Sequence, residues 1–158
     1  MKLMRLLMGV FVTLGIGNLL HAAEPSEEEL KRLDELHITI QRICPVSGNL
    51  LGEHGDPIKV NVGKSKEEVF LCCKACATQK LDPEHWATIH LNLAESQRIC
   101  PVMKKPLPKT PRWTIVDGRV IYVCCPPCID KIERDPLNVL TAVNKLYSES
   151  LAKRDGSK

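Results

Sequence analysis

The apolar residues of this chain form one long leading run, followed by short stretches that have the period of a strand or of a helix. The leading run covers residues 6–20. Short β-prone runs then occupy residues 58–62, 69–71, 113–116 and 120–123. The last two are joined by Asp117-Gly118, a dipeptide typical of a hairpin turn. The pattern therefore predicts two small antiparallel hairpins.

Apolar residues with helical spacing lie before and after each predicted hairpin. Residues 25–36 are predicted to form a helix that Ser26 caps, with Glu29 as the capping-box partner. Its inward side would carry Leu30, Leu33 and Leu36. A second helix is predicted at 85–95, and a third after Asp135-Pro136 on the spacing of Leu137, Leu140, Val143 and Tyr147.

The second half of the chain repeats the first. Gln-Arg-Ile-Cys-Pro-Val stands at 41–46 and again at 97–102. A Cys-Cys pair, a further cysteine three residues later and an Asp-Pro pair also recur in the same order. The matching cysteines are Cys44, Cys72, Cys73 and Cys76, then Cys100, Cys124, Cys125 and Cys128. Agreement over so many positions indicates an internal duplication.

The start of the chain has the features of a secretory signal. Lys2 and Arg5 precede the apolar run, and Ala22 and Ala23 offer small residues for cleavage. The run is shorter than the ~20 residues that span a bilayer, so a retained anchor is the second interpretation. We expect export to the periplasm or the extracellular space, with membrane contact only through this segment during export.

Composition narrows the class of protein. A chain of 158 residues with 44% hydrophobic and 26% charged residues is not expected to be wholly disordered. The net charge of +3 falls to +1 once residues 1–23 are removed, and no long basic block remains, so nucleic acid is not an expected partner. Only 4% of the residues are aromatic, and units of this size usually need disulfides, a metal or a neighbour for stability.

These observations predict an α+β fold of two tandem small units, each a β-hairpin plus a helix, with connecting helices. The predicted segments are a signal peptide at 1–23, an N-terminal helix at 24–40, Cys-rich repeats at 41–96 and 97–150, and a flexible tail at 151–158.

The cysteines carry the candidate chemistry. In each copy one cysteine precedes proline in a turn. A Cys-Cys-x-x-Cys group lies where a predicted strand ends and a predicted helix begins. The backbone amides at a helix N-terminus favour the thiolate form of cysteine. Gathered together, such sulfurs suit Zn²⁺ or Cu(I). The predicted ligands are Cys44, Cys72 and Cys76, and Cys100, Cys124 and Cys128. Cys73 and Cys125 would be fourth ligands or sulfurs next to the ligands.

Two alternatives to a metal site remain open on the sequence. An exported protein with an even number of cysteines could be stapled by disulfides and act as an interaction module without metal. The chain could also be a thiol–disulfide carrier that uses Cys73 with Cys76, or Cys125 with Cys128. The tight grouping of cysteines within each repeat favours metal over two independent staples.

The motif order resembles the TRASH/YHS group of small treble-clef-like metal-binding modules. The likeness lies in Cys44, Phe70-Leu71-Cys72, Cys76 and Asp82-Pro83, and in Cys100, Tyr122-Val123-Cys124, Cys128 and Asp135-Pro136. The likeness covers about residues 41–96 and 97–150. The chain also resembles heavy-metal-binding modules that accompany bacterial metal-efflux proteins. The resemblance implies treble-clef-like units and a metal-efflux or metal-handling partner. Four-cysteine members carry a second turn cysteine where this chain has Ser47 and Met103.

Other chemistry is not indicated. His37, His54, His85 and His90 have no counterparts in the second copy, so they are not expected to be ligands of a shared site. Trp86 and Trp113 are predicted to be packing anchors. The chain has no glycine-rich nucleotide loop and neither Gly-x-Ser-x-Gly nor His-Glu-x-x-His, so it is not expected to be an enzyme. The sequence predicts an exported protein that sequesters, senses or transfers Zn²⁺ or Cu(I).

Overall fold

The computed structural model of the protein describes residues 25–156. Within this range the chain forms four α-helices, one short 3₁₀ helix and two antiparallel hairpins, which confirms the predicted α+β class. The helices are α1 (Glu27–Gln41), α2 (Pro83–Gln97), α3 (Pro127–Arg134) and α4 (Pro136–Asp155), and the strands are β1 (Ile58–Val62), β2 (Glu67–Leu71), β3 (Arg112–Val116) and β4 (Arg119–Val123). The 3₁₀ helix Lys74–Thr78 in the first repeat stands where α3 stands in the second.

The structure differs from the prediction at the C-terminal end, and it does not describe the N-terminal segment. The predicted signal peptide at 1–23 is outside the described residues. Residues 151–155, which were expected to belong to a flexible tail, continue α4 as far as Asp155. None of the helices in the described range has the length and apolarity needed to cross a bilayer.

Helix α1 begins as predicted but is longer. The Glu29 amide donates to Ser26 Oγ at 3.2 Å, so Ser26 is the N-cap. The helix continues beyond residue 36 to Gln41, where Ile40 and Gln41 are buried. Leu30 is 45% exposed, so the expectation that it faces inward is wrong. The first turns of α1 extend past the core, and the contact with the rest of the molecule comes near its C-terminal end.

The hairpins meet at their turns. Ile58 pairs with Leu71 in the first hairpin, and Arg112 pairs with Val123 in the second. The Glu68 amide of β2 donates to the Gly118 carbonyl oxygen of the second turn at 2.6 Å. Gly118 has φ +76°, and a Cβ there would lie 3.1 Å from Glu68 Cβ. Glycine is therefore needed both for the turn conformation and for the close approach of the two repeats.

His90 of α2 lies where the two repeats join. The Tyr122 hydroxyl donates to the His90 carbonyl oxygen at 2.9 Å and lies 2.7 Å from His90 Nδ1, while His90 Nε2 is 3.2 Å from Glu67 Oε1. The His90 ring packs between Trp86 and Trp113, with centroids 5.1 and 5.6 Å away. Trp113 is 47% exposed, so it packs on one face only and is less of an anchor than predicted.

The core is unequally divided between the repeats. The larger cluster gathers buried residues of α1, α2, β4, α3 and α4, and it includes Cys100 and Cys128. The smaller cluster has only four buried members in the described chain: Cys44, Leu71, Cys72 and Cys76. Three of these four are cysteines, and Val46, Leu51 and Val60 pack against them as partly buried residues, so sulfur atoms form much of this smaller cluster.

A neutral histidine is held between α1 and α4. His37 Nε2 lies 3.2 Å from Asn144 Oδ1, and its ring meets Tyr147 edge to face at 5.4 Å. Burial, followed by the positive charge of Arg119, lowers the pKa of His37 to about 3. The unfolded chain, in contrast, has an ordinary histidine that titrates at a pKa of about 6.5.

Stability should therefore fall as the pH drops from about 6.5 towards about 3, because the unfolded chain takes up a proton that folded His37 does not. At about pH 5 the loss from this group is about 2 kcal/mol. We expect His37→Gln to flatten this part of the pH dependence in urea unfolding followed by circular dichroism. His54→Gln, in an exposed loop, is the matched control. A pH profile of His37→Gln identical to that of the wild type would contradict this prediction.

Candidate metal centre

A buried glutamine fixes the cysteine-bearing turn to the hairpin in each repeat. Gln41 Nε2 donates to the carbonyl oxygens of Ile43 at 2.9 Å and Phe70 at 2.7 Å, and its Oε1 accepts from the Phe70 amide at 2.9 Å. The side chain thus acts as an additional strand partner beside β2. Phe70 lies two residues before Cys72 and Ile43 lies one before Cys44, so the glutamine sets the distance between these two sulfurs.

The second repeat has the same clasp. Gln97 Nε2 donates to the carbonyl oxygens of Ile99 at 3.0 Å and Tyr122 at 2.7 Å, and Oε1 accepts from the Tyr122 amide at 2.9 Å. Gln97 is fully buried. Both glutamines recur in the duplicated Gln-Arg-Ile-Cys-Pro-Val segment, yet sequence reasoning gave them no role. Their recurrence at one polar position was the signal that could have found them.

The turn that carries the first cysteine is closed by matching backbone hydrogen bonds. The Cys44 amide donates to the Asn49 carbonyl oxygen at 2.8 Å, and the Gly48 amide donates back to the Cys44 carbonyl oxygen at 3.0 Å. In the second repeat the Cys100 amide donates to Lys105 at 2.8 Å, and the Lys104 amide donates to Cys100 at 2.9 Å. The two turns therefore present their cysteines in the same way.

The sulfur atoms of each repeat converge. The Sγ atoms of Cys44, Cys72 and Cys76 lie within 4.8 Å of one another, and so do those of Cys100, Cys124 and Cys128. The structure thus brings together the six predicted triad ligands in two separate groups. Both clusters are close enough to bind a metal ion.

The remaining cysteine of each repeat lies beside its triad. Cys73 Sγ is 3.9 Å from Cys72 Sγ and 3.7 Å from Cys76 Sγ, and Cys72 Sγ and Cys76 Sγ are 3.7 Å apart. Both Cys73 and Cys125 are half-buried, and they form the solvent side of each cluster.

Cys125 is placed in the same way in the second repeat. Its Sγ is 3.8 Å from Cys124 Sγ and 3.3 Å from Cys128 Sγ. Cys124 Sγ and Cys100 Sγ lie 3.9 and 3.8 Å from Cys128 Sγ. Cys73 and Cys125 thus each lie beside two sulfurs of their triad, but they are not part of the groups whose sulfurs all lie within 4.8 Å of one another.

These separations are those of metal ligands. A tetrahedral site with metal–sulfur bonds of about 2.3 Å has sulfur–sulfur edges of about 3.8 Å. A disulfide bond is much shorter, at about 2.05 Å. All eight cysteines lie within the described residues, and all are free thiols. The disulfide-stapled alternative therefore finds no support in the structure.

Amides around the first cysteine favour its ionised form. Burial opposes charge on Cys44, but the backbone amide of Ser47 and two neighbouring amides outweigh it and lower the pKa of Cys44 to about 6. Burial likewise opposes charge on Cys100, and the amides of Met103 and its neighbours lower the pKa of that thiol. Cys44 is therefore largely ionised at neutral pH, and the pKa of Cys100 is shifted in the same direction.

The last cysteine of each cluster behaves in the opposite way. Burial raises the pKa of Cys76 to about 12 and also raises the pKa of Cys128. These two thiols would lose their protons when a metal ion binds. A pocket that combines a thiol of lowered pKa with a thiol of raised pKa is suited to capture a metal ion with release of protons.

Neither of the two sulfur groups includes a histidine. His85 packs against the first turn, since a Cβ on Gly48 would lie 2.5 Å from His85 Nε2. His54 is exposed on the loop before β1, and in the described residues neither histidine belongs to a group able to hold a metal.

Comparison of the chain with family models, with curated proteins and with solved structures finds no match in any of the three. The resemblance to TRASH/YHS modules stays a prediction from the motif.

Proposed function

We propose that the protein binds one Zn²⁺ or Cu(I) ion in each repeat and sequesters or transfers it outside the cytoplasm. The proposal depends on one observation: in each repeat three cysteine sulfurs from distant parts of the chain lie within 4.8 Å of one another. The pairs Cys72–Cys76, Cys100–Cys128 and Cys124–Cys128 are 3.7–3.9 Å apart, close to the edge length of a thiolate-bound metal. Thiolate is the ligand type that Zn²⁺ and Cu(I) prefer.

In the proposed sites the triads hold the ion and Cys73 or Cys125 completes the coordination. A half-buried fourth sulfur suits a protein that transfers its metal to a partner, because a thiolate of the partner can replace that sulfur first. A metal-efflux or metal-handling protein is the partner that this chemistry favours. We do not assign the chain a catalytic role.

The proposal is tested by metal analysis combined with a thiol count. Protein purified without reductant or added chelator is expected to contain about two equivalents of metal, with all eight cysteines titrating as thiols after denaturation in the presence of a chelator. Adding Zn²⁺ to metal-free protein should release protons, which can be followed by calorimetry in buffers of different ionisation enthalpy. Protein without metal and without free thiols would contradict the proposal.

A further inference from the structure

The two cysteine-bearing turns differ in the residue three positions after the first cysteine. Ser47 and Met103 each lie three residues after the first cysteine, in turns closed by the same backbone hydrogen bonds. Because the surrounding backbone is matched, their side chains leave the chain at equivalent points over the two sites.

In the first repeat this position supplies a hydrogen bond to a ligand. Ser47 Oγ lies 3.4 Å from Cys72 Sγ and accepts from the Asn49 amide at 3.4 Å. Since the oxygen already accepts from that amide, its own hydrogen is free to point at the Cys72 sulfur. A hydroxyl that donates to a thiolate withdraws negative charge from it, which stabilises a site holding several thiolates around a divalent ion.

In the second repeat the same position supplies a thioether. Met103 has no hydrogen to donate, so Cys124 lacks the hydroxyl contact that Cys72 receives. Met103 is 40% exposed, which leaves its flexible side chain free to turn towards the cluster. A thioether is a soft, neutral ligand that suits Cu(I) and adds little to the binding of Zn²⁺.

We infer that the two repeats prefer different ions: the first, with Ser47, prefers Zn²⁺, and the second, with Met103, prefers Cu(I). This inference rests on the proposed function and assigns the specificity to a single position in each repeat. A protein of this kind would carry both ions at once, each mostly in the repeat that prefers it.

The test resolves the two repeats by alkylation of cysteines followed by peptide mapping. Metal-free protein receives one equivalent of Zn²⁺ or of Cu(I) under anaerobic conditions. Zn²⁺ is expected to slow alkylation of the first-repeat cysteines at least about tenfold more than that of the second, and Cu(I) is expected to do the reverse. Equal protection of both repeats by each ion would overturn the inference and leave metal binding intact. No protection by either ion would overturn the proposed function as well.

Substitutions then test the assigned residues. Met103→Leu keeps the apolar bulk without the sulfur and should lower the Cu(I) preference of the second repeat about tenfold, with Zn²⁺ binding there unchanged. Ser47→Ala should lower Zn²⁺ protection of the first repeat by a similar factor. The double exchange Ser47→Met with Met103→Ser should reverse the order of the two sites. The inference would be overturned if all three variants kept the metal selectivity of the wild type and also matched its circular dichroism spectrum. Any difference in ion preference between the repeats would then come from another feature.

Discussion

Removing metal from the loaded protein is expected to unfold the sulfur-bearing part of the first repeat and to leave that of the second folded. The first cluster has four buried residues, three of them cysteines, and the apolar residues packed against it, Val46, Leu51 and Val60, are only partly buried. Cys100 and Cys128, in contrast, are buried within the large cluster that also contains Ile132, Val143 and Tyr147. The second site therefore keeps its shape without an ion.

The effect can be measured by amide hydrogen exchange with and without a chelator. A metal present at about 1,000 times its Kd contributes about 4 kcal/mol, so amides at 43–51 and 72–79 should exchange about a thousandfold faster in the chelated protein. Amides at 99–107 and 124–134 should change far less, because their protection comes from the shared core.

Single cysteine substitutions provide the matched comparison. Cys44→Ser should place the amides of the first turn in fast exchange even with metal present, while metal still binds the second repeat. Cys100→Ser should remove the metal of the second repeat without exposing its amides. Equal loss of protection in both repeats after chelation would show that the unequal cores do not govern stability, and the prediction would be wrong.

The difference between the repeats also explains what the sequence could and could not reveal. The duplication predicted the two hairpins and the grouping of the cysteines, because matching motifs must fold alike. After Cys128 the second copy continues with Ile129 and Ile132, and Ile132 is buried in α3. The first copy has Ala77 and Lys80 at the matching places and forms only a 3₁₀ turn. The lack of large apolar residues at these places is visible in the sequence alone.

The contacts between elements were not readable in the same way. Nothing in the local pattern of Glu67 or His90 indicates that these residues lie 3.2 Å apart where the repeats join. The unequal core has a similar origin, because it depends on the packing of α4 against α1, α2 and α3. Tyr147 of α4 is fully buried in the larger cluster. The helical spacing of Tyr147 was visible in the sequence, whereas its neighbours in space, such as His37, were not.

The glutamine clasp is the feature whose loss should cost most stability within the chain itself. In Gln97→Leu, the Tyr122 amide and the carbonyl oxygens of Tyr122 and Ile99 lose their partner. Leucine is close in size but offers neither donor nor acceptor. A buried polar group without a partner costs about 1–3 kcal/mol, so the three together should cost about 3–9 kcal/mol.

A loss of this size is a large part of the 5–15 kcal/mol by which domains are usually stable. Urea unfolding of the metal-free protein is the measurement, since bound metal would add its own stabilisation. Gln79→Leu is the matched control, because Gln79 is exposed and only reaches the Ala75 carbonyl oxygen one turn away at 3.3 Å. It should change stability by less than about 0.5 kcal/mol.

The same substitution should also weaken the metal site, because the clasp ties the Cys100 turn to the strand that leads to Cys124. Metal affinity of the second repeat should fall by about 10–100-fold in Gln97→Leu, the range found when groups that orient ligands are removed. The first repeat keeps Gln41 and should bind as before. If Gln97→Leu matched Gln79→Leu in both stability and metal affinity, the buried amide would be an incidental contact, and the hairpin would hold its cysteines by packing alone.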